Sequence, residues 1–343
     1  MITVASFNNK GGVGKTTLTC NIAAYLATEV KKRVLVVDCD PQCNATQLII
    51  GQDASTDLYW TKSPQEAITT IKDVVQPIED GDSSINDSVT PLLSSANRFN
   101  VDLICGHPGF AIIEDRLGAA WHDLLGGDLG GIRKTNWNTA LSRSLSNRYD
   151  IAFFDLGPSL GSINRSVLLG CNYFFTPMGT DIFSILGIRN ISSWLSLWLD
   201  RYDGSMLLAR KSHGDRLQEF PIVASPPLRK GYAGYTMQQY ITKSKGGVRR
   251  PTVAYDEIIS KVPSEIDASL GDFFAKTVAT QSPHLGDVPH LYSLIPLAQS
   301  VATPIIGLQA SDGLVGSQYK QREDFSGIMR RIAINLARNV GLV

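Results

Sequence analysis

Residues 6–17 read SFNNKGGVGKTT, and the interpretation of the whole chain depends on this stretch. It overlaps a run of β-forming residues, ITVASFN at 2–8, and it leads into KTTLTCNIAAYLATEV at 15–30, where apolar residues recur at helical spacing. A glycine-rich turn between a strand and a helix lets backbone N–H groups and the helix N-terminus face an anion. The stretch therefore predicts a phosphate-binding loop.

The residue types in this loop suit the phosphates of a nucleotide. Lys15 is expected to bridge the β- and γ-phosphates, and the Thr16 hydroxyl to bind Mg²⁺. The residues predicted to bind the nucleotide form one run: Gly11, Gly12, Val13, Gly14, Lys15, Thr16 and Thr17. Lys10 is a second lysine at the start of the loop, and taken alone it could be an ordinary solvated side chain.

Carboxylates stand at the ends of two further strand-like runs, RVLVVDCD at 33–40 and IAFFD at 151–155. Ligand sites in parallel sheets lie at the C-terminal ends of strands, so we expect these acids near the loop. Asp38 and Asp40 are two residues apart and share a face, which lets one organise Mg²⁺ and the other orient an attacking water. Asp155 suits a carboxylate that holds a water on Mg²⁺. The alternative for each is a solvated strand end.

Alternating strand-like and helix-like segments predict one α/β domain over residues 1–343, with a mainly parallel twisted sheet flanked by helices on both faces. Two stretches are longer than such a domain requires, and we predict insertions at about 51–148 and 201–290. Between 51 and 130 the chain has 13 acidic and 4 basic residues, whereas 201–260 has ten basic and five acidic residues, so the two stretches differ in the partners they favour.

Three later segments carry weaker patterns. Helical spacing is expected from residue 184 to about 200, and LYSLIPLA at 291–298 is interpreted as a late strand and turn. Residues 319–339 predict a final amphipathic helix.

Composition indicates a globular, cytoplasmic protein. Lys plus Arg and Asp plus Glu both total 32, so net charge gives no argument for a polyanionic partner, although local patches can. The five cysteines include no C-x-x-C pair, which favours reduced thiols over a disulfide framework. The first residues lack the pattern of a signal peptide, and no run of about 20 apolar residues predicts a membrane span.

Four segments, in order along the chain, resemble motifs of the ParA/MinD ATPases of the SIMIBI class. KGGVGKTT at 10–17 resembles the deviant Walker A motif with its extra leading lysine, and VLVVDCDPQCNAT at 34–46 resembles the D-x-D-P-Q motif. DLGPSLGSINRSVL at 155–168 is similar to the Walker B segment, and TPMGTDIFSILGI at 176–188 to the strand and turn that follow it. The DPQCNAT and GPSLG stretches fit the ParA branch better than the MinD branch.

This resemblance assigns roles to individual residues. In the family the leading lysine, here Lys10, reaches across a nucleotide-sandwich homodimer to the partner's phosphates. Asp40 would polarise the attacking water. IPLAQSVATPI at 295–305 is similar to a segment near the adenine, which includes Pro296. The implied catalytic residues are Lys10, Lys15 and Asp40, and the implied Mg²⁺ residues are Thr16, Asp38 and Asp155, with Asp155 the Walker B acid.

The chain also departs from the family pattern. Gly157 stands where the family usually has proline, beside the expected γ-phosphate. The chain begins directly at its first strand, without the N-terminal helix-turn-helix extension of larger plasmid ParA proteins. Operator-specific repression is therefore not expected.

Several functions remain open from the sequence. The first is a partition or positioning ATPase, whose ATP dimer binds DNA nonspecifically through 201–250, with Arg330, Arg331 and Arg338, and whose slow hydrolysis a protein partner stimulates. Such a protein would be associated with the nucleoid. The second is an ATP-gated dimer that recruits or activates a protein partner, in an effector or defence-type assembly, and the acidic stretch 51–130 favours it. A third is lipid binding by the last helix, although such helices more often cover a core. A metabolic kinase does not fit Lys10 and the D-x-D-P-Q motif.

Overall fold

A sheet of seven parallel strands lies at the centre of the computed structural model, which describes residues 1–60, 68–240, 242–245, 248–251, 253–291 and 293–343. The strands are β1 (Ile2–Ser6), β2 (Val34–Asp38), β3 (Asp102–Ile104), β4 (Ile151–Asp155), β5 (Tyr173–Gly179), β6 (Tyr232–Tyr240), β7 (Thr242–Lys245), β8 (Val248–Pro251) and β9 (His284–Pro289). The sheet has the order β3-β2-β4-β1-β5-β6-β9, and β7 pairs with β8 as a separate antiparallel ribbon. The predicted parallel α/β sheet is confirmed.

Helices cover both faces of the sheet. They are α1 (Lys15–Thr28), α2 (Asn44–Trp60), α3 (Ile71–Glu79), α4 (Ile113–Leu125), α5 (Leu129–Thr135), α6 (Trp137–Ser144), α7 (Ser162–Leu169), α8 (Ile182–His213), α9 (Val253–Leu270), α10 (Leu294–Ser300) and α11 (Gln318–Asn339). Buried residues of α1, α2, α10 and α11 form one core layer, and those of α3 to α9 form the other. The two layers place α8 and α11 on opposite sides of the molecule.

The strand register fixes where the site can form. Ser6 of β1 and Asp38 of β2 both pair with Asp155 of β4, so these three strands end at the same level. Their apolar runs are buried on both faces, which explains why VLVVD shows no polar alternation. The residues that follow the three strands therefore meet at one edge.

The two predicted insertions contain parts of the central sheet. Strand β3 falls within 51–148, and β6 and β9 fall within 201–290. These stretches are therefore not simple additions to a complete sheet, and the single-domain arrangement stays a prediction.

Two of the three weaker predictions hold, and one is wrong. The final helix is confirmed as α11, and the helix expected at 184–200 extends over the whole of α8. The strand expected at 291–298 is a helix, α10, because Leu294 and Ala298 are buried at a spacing of one helical turn. The last strand lies earlier, at β9.

Helix α8 has 32 residues and is long and apolar enough to cross a membrane by length and composition alone. Its inner side chains Leu195, Trp198 and Leu199 are buried in the core layer of α3 to α9. A core helix of a soluble fold has the same length and composition, so α8 is only weak support for a membrane span.

Four aromatic rings, two of them on α8, form a row in the core. Phe7 lies 5.6 Å from Trp194, Trp194 lies 5.8 Å from Trp198, and Trp198 lies 6.3 Å from Trp121, all measured between ring centroids. Phe7 is the residue after β1, so the row connects the start of the glycine loop to α4. All five cysteines are free and buried, in agreement with the expectation of reduced thiols.

Candidate nucleotide site

The glycine loop leaves β1 and turns into α1 through two left-handed residues. Gly12 has φ 73° and Gly14, which precedes α1, has φ 77°, a region that favours glycine. No side chain caps this end of α1. The first N–H groups of α1 are therefore available to an anion in the adjoining cavity.

Lys15 is folded back over the loop. Its side chain is only 7% exposed, and its Nζ donates to the carbonyl oxygen of Lys10 at 3.0 Å. Burial lowers the pKa of Lys15, while the negative charges of Asp155 and Asp40 act in the opposite direction. The lysine thus places a cation at the centre of the loop.

Thr16 and Asp155 form a pair suited to Mg²⁺. The Thr16 hydroxyl donates to Asp155 Oδ2 at 2.7 Å, and Asp155 Oδ1 is buried with no hydrogen-bond partner. Burial, and then the nearby Asp38 carboxylate, raise the pKa of Asp155 to about 8. A hydrated cation beside Oδ1 would satisfy the orphaned oxygen and favour the ionised form, so these residues fit Mg²⁺.

Asp40 lies at the wall of the same cavity. It is 8% exposed, and its Oδ1 accepts the N–H of Gln42 at 3.0 Å. A Cβ at Gly157 would lie 3.2 Å from Asp40 Oδ1. Glycine at 157, where the resembled family has proline, therefore leaves room for the Asp40 carboxylate.

Asp38 connects β2 to the start of α2. Its side chain is fully buried, and Oδ2 accepts both the N–H of Thr46 at 2.8 Å and the Thr46 hydroxyl at 2.7 Å. Burial raises its pKa to about 6, although the Thr46 donors oppose the rise. Like Asp155, Asp38 is buried behind the residues that line the cavity, and its role in coupling Mg²⁺ to the loop stays a prediction.

Lys10 pairs with Asp181 of its own chain. Lys10 Nζ donates to Asp181 Oδ2, and both side chains are more than a third exposed. Asp181 also accepts the N–H groups of Phe183 and Ser184, which caps α8. Asp181 lies within the motif at 176–188, and its pairing with Lys10 carried no signal in the sequence.

Two adjoining cavities share Gly12, Gly14, Thr17 and Gln299. The larger, about 600 Å³, contains the loop, Asp40 and residues of α2. The smaller, about 240 Å³, is lined mainly by apolar residues that include Leu18, Val288 and Phe325, with Gln238 as a polar group. This division suits a nucleotide, whose phosphates are charged and whose base is flat and largely apolar.

Pro296, predicted to lie near the adenine, is exposed on α10 and lines neither cavity. Its neighbours Ile295 and Gln299 line the smaller cavity, and the contact of this segment with adenine stays a prediction. Gln238 carried no signal in the sequence. Val13 is buried, and only its backbone remains available for the predicted contact.

Comparison with known proteins identifies the family of the chain. A sequence model of a family described as an AAA domain matches residues 1–205, more than half of the chain. The virulence plasmid ParA family protein pGP5-D of Chlamydia psittaci is 29% identical over 196 residues, 57% of this chain and 64% of that protein. The chromosome-partitioning ATPase Soj of Thermus thermophilus is 26% identical over 223 residues, 61% of this chain and 72% of Soj.

The chain belongs to the ParA/MinD family of P-loop ATPases. A solved structure, protein DIP2308 from Corynebacterium diphtheriae, matches this ParA/MinD member at a TM-score of 0.74 and 31% identity, over 99% of this chain and 98% of that one. The match to pGP5-D is shorter, and the chain spans just under two thirds of the length of that protein.

Proposed function

We propose that the protein is a MgATP-dependent switch that dimerises on ATP and hydrolyses it to ADP and phosphate. The carrying observation is that Lys15, Thr16 and Asp40 line one cavity at the end of three central strands, and that the Thr16 hydroxyl is bonded to the buried Asp155. These are the groups that phosphate binding, Mg²⁺ binding and water orientation need.

Each residue has a distinct part in the proposed reaction. Lys15 and the N–H groups of residues 11–17 would hold the phosphates, and Thr16 with Asp155 would hold Mg²⁺, which would supply positive charge to the reacting phosphates. Asp40, at the cavity wall, orients the attacking water. Nearly all of the rate enhancement in such a reaction comes from positioning and charge stabilisation, so small displacements of Asp40 matter.

Lys10 is proposed to act in the dimer. In the single chain its charge is already balanced by Asp181. The phosphates of a partner's ATP are a stronger anion in a drier setting, and transfer of Lys10 from Asp181 to those phosphates would make dimerisation depend on ATP.

A DNA-binding surface is proposed on α11. Arg330, Arg331 and Arg338 are exposed, and within the described part of the chain none of them takes part in an ion pair. In the stretch 201–250, the charge of Arg229 is already balanced by Asp200 and Asp203. The side chains of 239–258, which include the basic residues near 243–250, lie outside the described residues.

The first experiment measures oligomeric mass and DNA co-sedimentation of the Asp40→Ala variant with ATP, with ADP and without nucleotide. We expect a dimer only with ATP, which pellets with random-sequence DNA at moderate salt, because loss of the water-orienting group traps the ATP state. The matched control is Lys10→Ala, Asp40→Ala, which should bind ATP and stay monomeric. Absence of an ATP-dependent dimer would contradict the proposal for Lys10.

A second candidate, an ATP-gated dimer that recruits a protein partner, is favoured by exposed apolar side chains. Ile182, Phe183 and Leu186, within the first five residues of α8, are 52%, 70% and 42% exposed. Exposed apolar groups of this size mark protein interaction sites when they cluster. An ATP dimer that ignores DNA in the same experiment would support this candidate, with a stimulating partner to be sought on α8.

A further inference from the structure

A chain of hydrogen bonds leads from the end of α2 to the base of the site. The Tyr59 hydroxyl donates to the carbonyl oxygen of Gly106 at 2.8 Å, and the N–H of Gly106 donates to Thr46 Oγ1 at 2.7 Å. The Thr46 hydroxyl then donates to Asp38 Oδ2 at 2.7 Å. Tyr59 and Gly106 belong to none of the motifs from which the nucleotide site was built.

The inner end of this chain reaches the backbone of Asp40. Asp38 Oδ1 accepts the N–H of Asp40 at 3.3 Å, while Oδ2 is fully engaged by Thr46. Because Asp38 is completely buried, it cannot exchange these donors for water without a desolvation cost. Whatever holds Thr46 in place therefore also holds the position of Asp40.

Packing at Gly106 makes the connection stiff. A Cβ at this residue would lie 2.9 Å from the Asp38 carboxylate and 3.1 Å from Cys43 Sγ. The backbone of Gly106 thus rests directly on Asp38, with no spare volume between them. A shift of the backbone at Gly106 would therefore displace the Asp38 carboxylate.

The outer end of this chain of hydrogen bonds is Tyr59, which lies on the interrupted helix α2. Gly51 interrupts α2 with φ 84° and ψ 170°, so residues 52–60 are not a rigid continuation of residues 44–50. The Tyr59 and His107 rings form a T-shaped pair with centroids 5.7 Å apart, and the Tyr59 hydroxyl supplies the bond to Gly106. The next residue, Trp60, is 85% exposed, so this end of α2 is open to solvent.

We propose that Tyr59 is a positioning residue for ATP hydrolysis, which acts through Gly106, Thr46 and Asp38 on Asp40 and makes the second half of α2 a control element of turnover. This inference rests on the proposed role of Asp40. The glycine loop, Lys15 and Thr16 are not members of the hydrogen-bond chain. Loss of the Tyr59 hydroxyl should therefore slow hydrolysis and leave ATP binding nearly unchanged.

The test compares steady-state ATP hydrolysis of Tyr59→Phe with the unsubstituted protein. Phenylalanine keeps the ring against His107 and removes only the hydroxyl. We expect kcat to fall about tenfold and KM for ATP to change by less than about twofold. Thr46→Val should reproduce the loss, and Thr46→Ser should restore most of the rate because it retains a hydroxyl.

The matched control is Tyr149→Phe. The Tyr149 hydroxyl donates to Asp102 Oδ2 at 2.8 Å, so the substitution removes an equivalent tyrosine–acceptor bond away from the cavity. We expect its kcat to match that of the unsubstituted protein, and thermal melting should show that every variant is folded.

The possible results distinguish a failure of the proposed function from a failure of the proposed role of Tyr59. If the unsubstituted protein hydrolyses no ATP, the proposed function fails and the role of Tyr59 falls with it. If that protein is active and Tyr59→Phe keeps its kcat, or raises KM with kcat unchanged, the inference is overturned while the proposed function stands.

Discussion

At the scale of single residues, Asp155 is a carboxyl group whose charged form is disfavoured in the folded protein. It is fully buried next to Asp38 and Asp40, and its pKa is raised to about 8 chiefly because burial penalises the charged form. In the unfolded chain the same carboxyl titrates near its ordinary value of 3.8. Between these values the folded state binds the proton more tightly, so stability is highest at low pH and is lost as pH rises towards 8.

The corresponding prediction concerns Asp155→Asn in the protein without Mg²⁺ or nucleotide. The unsubstituted chain should lose free energy of unfolding between pH 5 and pH 8, and the variant should lose roughly 1 to 3 kcal/mol less, because the ionisable group is gone. Urea unfolding at the two pH values measures both slopes. Asp38, with its pKa raised to about 6, contributes in the same direction to both proteins. Parallel pH profiles would refute the assignment of the shift to Asp155.

At the scale of elements, the start of α8 determines the shape of the glycine loop. A Cβ at Gly187 would lie 2.9 Å from Asn9 Oδ1, a buried atom with no hydrogen-bond partner. The neighbouring Asn8 donates to the carbonyl of Pro177 at 2.7 Å and accepts the N–H of Lys10 at 2.9 Å. The first turns of α8 therefore pack directly against the residues that open the loop.

We accordingly expect Gly187→Ala to weaken ATP binding about five- to tenfold and to lower stability by about 1 to 2 kcal/mol, because the methyl group overpacks this contact. The control is Gly204→Ala on the same helix, where a Cβ would meet nothing within 4 Å. It should be neutral or slightly stabilising, since alanine is the better helix former. Titration with a fluorescent ATP analogue and thermal melting measure both variants. Equal behaviour of the two alanine variants would exclude the packing argument.

At the scale of the whole molecule, the sheet separates two basic regions. Arg201 in α8 and Arg216 just after it are exposed on one side, whereas Arg330, Arg331 and Arg338 are exposed on α11 across the sheet. A straight DNA duplex lies along one face of a subunit, so these two regions are alternative surfaces. We favour α11 because it carries three exposed arginines.

This leads to a prediction for two charge-removal variants of the Asp40→Ala protein with ATP. Replacing Arg330, Arg331 and Arg338 by alanine should reduce DNA affinity at least tenfold and flatten its salt dependence, because each lost phosphate contact removes about 0.9 from the log–log slope. Replacing Arg201 and Arg216 by alanine should have much less effect. Fluorescence anisotropy with a random-sequence duplex at several salt concentrations measures both, and the reverse order would move the surface to α8.

Sequence reasoning reached the fold and the central acids because local rules govern both. A glycine loop after a strand, Asp155 at the end of β4 and Asp40 just after β2 are patterns of neighbouring residues, and parallel strand ends must meet. The hydrogen-bond partners of a side chain are a different matter: no local pattern predicts that Thr46 donates twice to the buried Asp38. Pairings such as Lys10 with Asp181, and cavity residues such as Gln238, depend on contacts between segments far apart in the chain.

The row of four aromatic rings contains three tryptophans, whose fluorescence responds to the structure around them. The Trp194 ring lies 5.6 Å from that of Phe7, from which the chain continues directly into the glycine loop, while Trp198 and Trp121 extend the row. Indole emission depends on the surroundings of the ring, so we expect a rearrangement of the loop to change the emission of Trp194. Binding of a nucleotide in the cavity would then be visible as a change in the tryptophan fluorescence of the unlabelled protein.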